Sequence, residues 1–138
     1  MSVYVDSSVV LRVLLRQPGA LHRWREVTEA SCSALVEVEC LRTLDRMRVA
    51  GEFTETVAAE LRAAVFRLLE SFTVVEVTRP ILARSSQPLP IGIGTLDAIH
   101  LATALALRDA IGPDIAMATH DAQLGLAARA MGLEVMGV

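Results

Sequence analysis

The chain has 138 residues, 53% of them hydrophobic and 21% charged, which excludes a disordered tail and suffices for one domain with its own core. Only 4% are aromatic, so that core must be built from Leu, Val, Ile and Ala. The net charge is −3 and all 13 basic residues are arginines; an acidic total argues against duplex nucleic-acid binding by bulk charge, yet leaves room for an arginine-lined groove.

In chain order, Val3-Tyr4-Val5 reads as a strand of β-branched and aromatic residues, followed by Asp6-Ser7-Ser8 at a strand–helix junction. Ser8 to Arg16 has helical spacing and stops at Pro18-Gly19. A second short helix is predicted over Ala20 to Ala30, with Leu21, Trp24 and Val27 on one stripe. Ser31-Cys32-Ser33 reads as a brief extended piece, with Ser33 placed to cap the helix that follows. That helix runs from Ala34 to Val49, with Leu35, Val38, Leu41, Leu44 and Met47 at three- and four-residue steps, and another spans Thr54 to Ser71.

Phe72 to Val77 reads as a strand and Arg79-Pro80 opens a short helix. Ser85 to Thr95 is a loop, and a helix from Leu96 to Ala110 follows, with Thr95 as its expected N-cap. Ile115–Ala118 is a short strand, Asp121 to Met131 a helix, and Leu133 to Met136 a last strand. Strands alternating with helices imply an α/β fold with a mostly parallel sheet buried on both faces.

Cys32 and Cys40 match neither a C-x-x-C pair nor a zinc pattern, so both are expected as reduced core residues of a cytoplasmic protein. No basic segment leads into an apolar run at the N-terminus, and no charge-free run reaches membrane-spanning length. The expectation is a soluble protein with no membrane association. Its mean hydropathy of +0.47 suits a surface that meets a partner or a second copy.

Four acids stand out. Ligands of open parallel sheets bind beyond the carboxyl ends of the strands, which is where Asp6 and Asp121 fall. Taken singly, each is explained as a helix cap or macrodipole complement, as is Asp97 in a first helical turn. Glu39 lies inside a helix, beside Val38, Cys40 and Leu41. An ion pair with Arg42 is the plain explanation; a partly buried carboxylate otherwise calls for a compensating cation. Carboxylates without a His/Cys ligand pattern suit Mg²⁺ or Mn²⁺, which orient a scissile phosphate and activate water. Arg42 and Arg46, on the same helix, are candidates to hold an RNA backbone; surface ion pairing is their alternative role.

Four segments in order, Val3-Tyr4-Val5-Asp6-Ser7-Ser8, Ser33 to Arg42 with Glu39, Leu96-Asp97-Ala98-Ile99-His100-Leu101-Ala102-Thr103-Ala104, and Ala118-Thr119-His120-Asp121, resemble the PIN-domain ribonucleases, in particular the VapC-type toxins. The resemblance implies a single PIN domain over residues 1–138, a three-layer α/β/α sandwich, and Mg²⁺- or Mn²⁺-dependent RNA cleavage. It also implies a cognate antitoxin and frequent homodimers. It assigns the metal site to Asp6 and Asp97 with Glu39 and Asp121 completing it, and gives Thr119 a supporting hydrogen bond. His120 departs from the residue expected beside that Asp, and His100 reads as a structural, hydrogen-bonded histidine.

The absence of lysine disfavours dehalogenase-like phosphatases and response-regulator receivers, which neutralise phosphoryl oxygens with one. A Ser-His-Asp hydrolase lacks its G-x-S-x-G elbow. The remaining alternative is a PIN-like module that binds a protein partner without catalysis.

Overall fold

A computed structural model describes residues 1–19 and 21–138. Five strands alternate with helices: β1 (Ser2–Val5), α1 (Ser7–Leu14), β2 (Glu29–Ser33), α2 (Leu35–Val49), α3 (Glu55–Glu70), β3 (Thr73–Val75), α4 (Arg79–Ser85), α5 (Thr95–Ile111), β4 (Ile115–Ala118), α6 (Ala122–Ala130) and β5 (Glu134–Met136). All strand pairs are parallel, in the order β3-β2-β1-β4-β5.

The two-residue period of the strands distributes the core over both faces of the sheet. Val3, Val5, Ala116 and Ala118 pack with Val9, Val10, Val36 and Leu44 under α1 and α2. Tyr4, Ile115 and Met117 pack on the other side with Leu101, Leu105 and Leu124 of α5 and α6. Helices therefore cover both faces, giving the three-layer α/β/α arrangement. Eight consecutive residues of α5, Ala98 to Leu105, are buried, so this helix is clamped on every side and presents its N-terminal turn at a fixed position.

Three local expectations are corrected. The predicted helix over 20–30 holds a single 3-10 turn, Trp24–Glu26, and after two further residues β2 begins; the segment's first residue, Ala20, lies outside the described residues. Parallel pairing of Glu29 with Ser2 and Ala30 with Val3 captures the end of the helical stripe as strand. The predicted strand 72–77 shortens to Thr73–Val75, the three residues that find partners on β2. Gly94, rather than Thr95, occupies the N-cap of α5, and Thr95 begins the helix.

The cysteines are free and buried. Burial pushes the Cys32 thiol up to about 11 and Cys40 up to about 12, so both stay protonated at neutral pH. No helix among the described residues is long and apolar enough to cross a membrane.

Candidate active site

The chain runs outward from β1 to β3 on one side of the sheet and continues with β4 and β5 on the other, so the order reverses between β1 and β4. Open sheets bind ligands beyond such a switch point. Asp6 follows β1 directly, and its backbone N–H extends the ladder to the Ala118 carbonyl at 3.2 Å. Its carboxylate is 4% exposed. Oδ1 accepts from Ser8 Oγ at 2.5 Å and from the Val9 amide at 3.3 Å; Oδ2 accepts from Thr119 Oγ1 at 2.7 Å. Asp6 is itself the N-cap of α1. Three of its roughly four acceptor positions are filled, leaving one on Oδ2.

Beyond β4, Thr119 is fully buried. Its hydroxyl donates to Asp6 and accepts the Asp121 amide at 3.0 Å. Asp121 caps α6 by accepting from the Leu124 amide at 2.8 Å through Oδ1. The capping roles of Asp6 and Asp121 leave room for a further ligand, because a cap occupies only part of a carboxylate.

Glu39 reaches the site from the second turn of α2. It does not pair with Arg42: its Oε1 lies 2.5 Å from His100 Nε2 on α5, and Arg42 pairs with Asp45 at 3.0 Å. His100 is buried, and its Nδ1 lies 2.6 Å from the Tyr4 hydroxyl. Asp97 is one turn before His100 on the same helix. Neither of its oxygens has a hydrogen-bond donor among the described residues, in contrast to the other three acids.

The charges of the other three acids are felt at Asp97. Its carboxyl is raised above the ordinary value near 3.8, first by burial and next by the charge of Asp121, with Asp6 and Glu39 adding to the rise and His100 opposing it. Among the described residues no group of three or more acid, His or Cys side chains is gathered closely enough to hold a metal ion as it stands. Donor chemistry nevertheless fits a hard cation: every unused acceptor is a carboxylate oxygen, Asp97 is left without a compensating donor, and Mg²⁺-like ions keep several waters instead of demanding an all-protein shell.

Beside Glu39 opens a cleft of about 320 Å³ lined by Ser7, Val38, Arg42, Thr43, Arg46 and Leu96. Arg46 reaches Thr43 Oγ1 at 3.0 Å and has no carboxylate partner among the described residues. Sequence reasoning brought Asp6, Glu39, Asp97, Asp121 and Thr119 to the site and Arg42 and Arg46 to its edge. It missed Ser8, whose hydroxyl ties Asp6 to the His120 amide at 2.9 Å, and Tyr4. Ser8 had a readable signal in its two-residue spacing from Asp6; Tyr4 looked like any core aromatic.

A profile of the PIN domain matches residues 3–129. Ribonuclease VapC46 of Mycobacterium tuberculosis is 32% identical over 139 residues, spanning 98% of this chain and 96% of that protein. Ribonuclease VapC47 of the same organism is 28% identical, over 94% and 92% of the two chains. Among solved structures, VapBC2 from Rickettsia felis bound to a promoter DNA fragment superposes with a TM-score of 0.67 at 10% identity, covering 98% of this chain and 97% of that one. Mycobacterium tuberculosis VapC20, a sarcin-ricin loop cleaving toxin, does so at 0.62 and 18% identity, over 97% and 98%.

Proposed function

From the premise that this chain belongs to the PIN-domain family, with VapC ribonucleases similar to it along nearly its whole length, we propose how its residues carry out RNA cleavage. The chain is an endoribonuclease of the VapC toxin type, hydrolysing RNA phosphodiester bonds. Asp6, Glu39, Asp97 and Asp121 hold the divalent ion, Mg²⁺ or Mn²⁺, with Thr119 orienting Asp6. When bound, such an ion stabilises charge on the scissile phosphate and activates water for attack. The observation that carries this reading is Asp97, a half-buried carboxylate with no protein donor among the described residues, raised first by burial and then by the charges of Asp121, Asp6 and Glu39.

The chain's own contribution is positioning and charge. Ser8, Val9 and Thr119 fix both oxygens of Asp6, so little reorganisation is needed when the substrate arrives. The amino-terminal ends of α1 and α6 lie at Asp6 and Asp121, where their dipoles favour an anionic phosphate. Arg42 and Arg46 hold the RNA backbone along the cleft beside Glu39, because guanidinium forks match phosphate oxygens.

As partners we infer an antitoxin and a second copy of this chain. VapBC complexes share the fold, and Val13, Val57 and Phe66 expose apolar surface on α1 and α3. Residues 1–138 act as a single PIN domain in the cytoplasm. Sequencing RNA ends after controlled expression, beside an Asp97→Ala control, tests the function. New ends at defined sites only with the intact chain support it. The same ends with both chains, or none with either, favour a non-catalytic module.

A further inference from the structure

Tyr4, His100 and Glu39 form a hydrogen-bonded row from the centre of the sheet to the mouth of the cleft. They come from β1, α5 and α2, three elements that meet only through tertiary packing. Tyr4 is fully buried and His100 nearly so, whereas Glu39 stands at the edge of the cleft. The distances are 2.6 Å from Tyr4 Oη to His100 Nδ1 and 2.5 Å from His100 Nε2 to Glu39 Oε1. Both ring nitrogens are engaged, and the ring lies edge-on to Tyr4, with centroids 6.0 Å apart.

A carboxylate only accepts, so Nε2 must carry a proton and donate to Glu39. Nδ1 then accepts from the phenol when the ring is neutral, or donates to it when the ring is charged. Either way the phenol keeps the ring in place. Burial also holds the phenol well above its ordinary range, so it remains a hydroxyl able to serve in both roles. Glu39 Oε1 is thereby committed to the row, while Oε2 has no protein donor among the described residues.

We propose that His100 is a positioning residue for Glu39, with Tyr4 as its anchor: the pair holds one oxygen so that the other is presented to the cation in a fixed orientation. The same helix carries Asp97 one turn earlier, so His100 also fixes the spacing between the acids of α2 and α5. Glu39 on a free side chain would sample several rotamers, and ordering it would then weaken each binding event. This inference rests on the reading of Glu39 as a metal ligand. Hydrogen-bond partners of ligating groups typically alter metal affinity by about 10–100-fold when removed.

The test is Mn²⁺ titration calorimetry on the full chain, comparing wild type with Glu39→Gln, His100→Met, His100→Gln and Tyr4→Phe. Loss of about tenfold or more in affinity is expected for Glu39→Gln and for His100→Met. His100→Gln, whose side-chain amide can donate in place of Nε2, stays near wild type, and Tyr4→Phe falls between. A folded His100→Met that binds Mn²⁺ as tightly as wild type, while Glu39→Gln binds weakly, overturns the positioning role and leaves the ligand assignment standing. A Glu39→Gln chain that binds as wild type overturns the ligand assignment and the inference with it. Should His100→Met fail to fold, nitrogen NMR of the wild-type imidazole decides: a protonated Nε2 with a shift that moves in Tyr4→Phe supports the row, and an unprotonated Nε2 refutes it.

Discussion

Thr119 Oγ1 lies 2.7 Å from Asp6 Oδ2 and also receives the Asp121 amide at 3.0 Å, so one hydroxyl couples the carboxyl ends of β1 and β4. Both groups are buried or nearly so, and the chain pairs Val5 with Ala118 immediately before them. Thr119→Val keeps the shape and removes the hydroxyl. It is expected to destabilise the fold by about 1–3 kcal/mol, because a buried carboxylate loses a donor and a backbone amide loses its acceptor. Urea unfolding monitored by circular dichroism measures this; an unchanged midpoint and slope would show that water replaces the hydroxyl at no cost.

Asp97→Asn should stabilise the metal-free protein. The folded carboxyl holds its proton more tightly than the unfolded one, so across the interval above about 3.8 the native state binds more protons. Stability is therefore fully present below the unfolded value and falls as pH rises through the interval. Asparagine removes this loss, so in EDTA at neutral pH the variant melts higher than wild type, and the gap narrows as pH falls towards 4. Saturating Mn²⁺ then stabilises wild type more than the variant. Thermal melts at several pH values check both parts, and a variant that melts lower in EDTA contradicts the repulsion argument.

Arg42→Gln with Arg46→Gln should weaken RNA binding and flatten its dependence on salt. For a single strand each lost phosphate contact reduces the slope of log K against log salt by about 0.7. Arg42 already holds Asp45 at the surface, a pair worth little in water, so it is free to exchange partners. Filter binding of a catalytically silenced chain at several salt concentrations measures the slope; unchanged affinity and slope would place the RNA elsewhere.

Gly137→Ala is expected to damage the site from a distance. Gly137 has φ +103, and a Cβ there would strike the Thr119 carbonyl oxygen and press on Leu21 Cδ2 at 2.9 Å. A side chain is strained in that backbone conformation, and the obstacle is backbone that carries a site residue. Loss of about 1–3 kcal/mol in thermal or urea unfolding, together with slower RNA cleavage, is the expected outcome. A variant as stable and as active as wild type would show that the terminal segment yields freely.

Much of this arrangement was legible in the sequence because its signals are local. Asp6 directly follows one short apolar strand and Asp121 lies just beyond another, and α5 announces itself through Ala98 to Leu105. The parallel fold followed from strand–helix alternation. Segment 20–30 was misread because Leu21, Trp24 and Val27 keep a helical stripe, and only pairing with Ser2 and Val3 turns its end into strand. His100 as the partner of Glu39 was missed for a similar reason: Arg42, the ion-pair alternative, is near in sequence, whereas His100, 61 residues away, is near in space. Long-range pairing chose both outcomes, and neither propensity nor spacing encodes it.

If these four acids make the chain a metal-dependent endoribonuclease, purified protein must cut RNA only when a divalent ion is supplied. Wild type and Asp6→Asn are incubated with a folded RNA pool in EDTA, Mg²⁺ or Mn²⁺, and fragment ends are counted over time. Defined fragments from wild type with either metal, none in EDTA, and none from Asp6→Asn are the predicted result. Equal cleavage by both proteins, or cleavage that persists undiminished in EDTA, would contradict it.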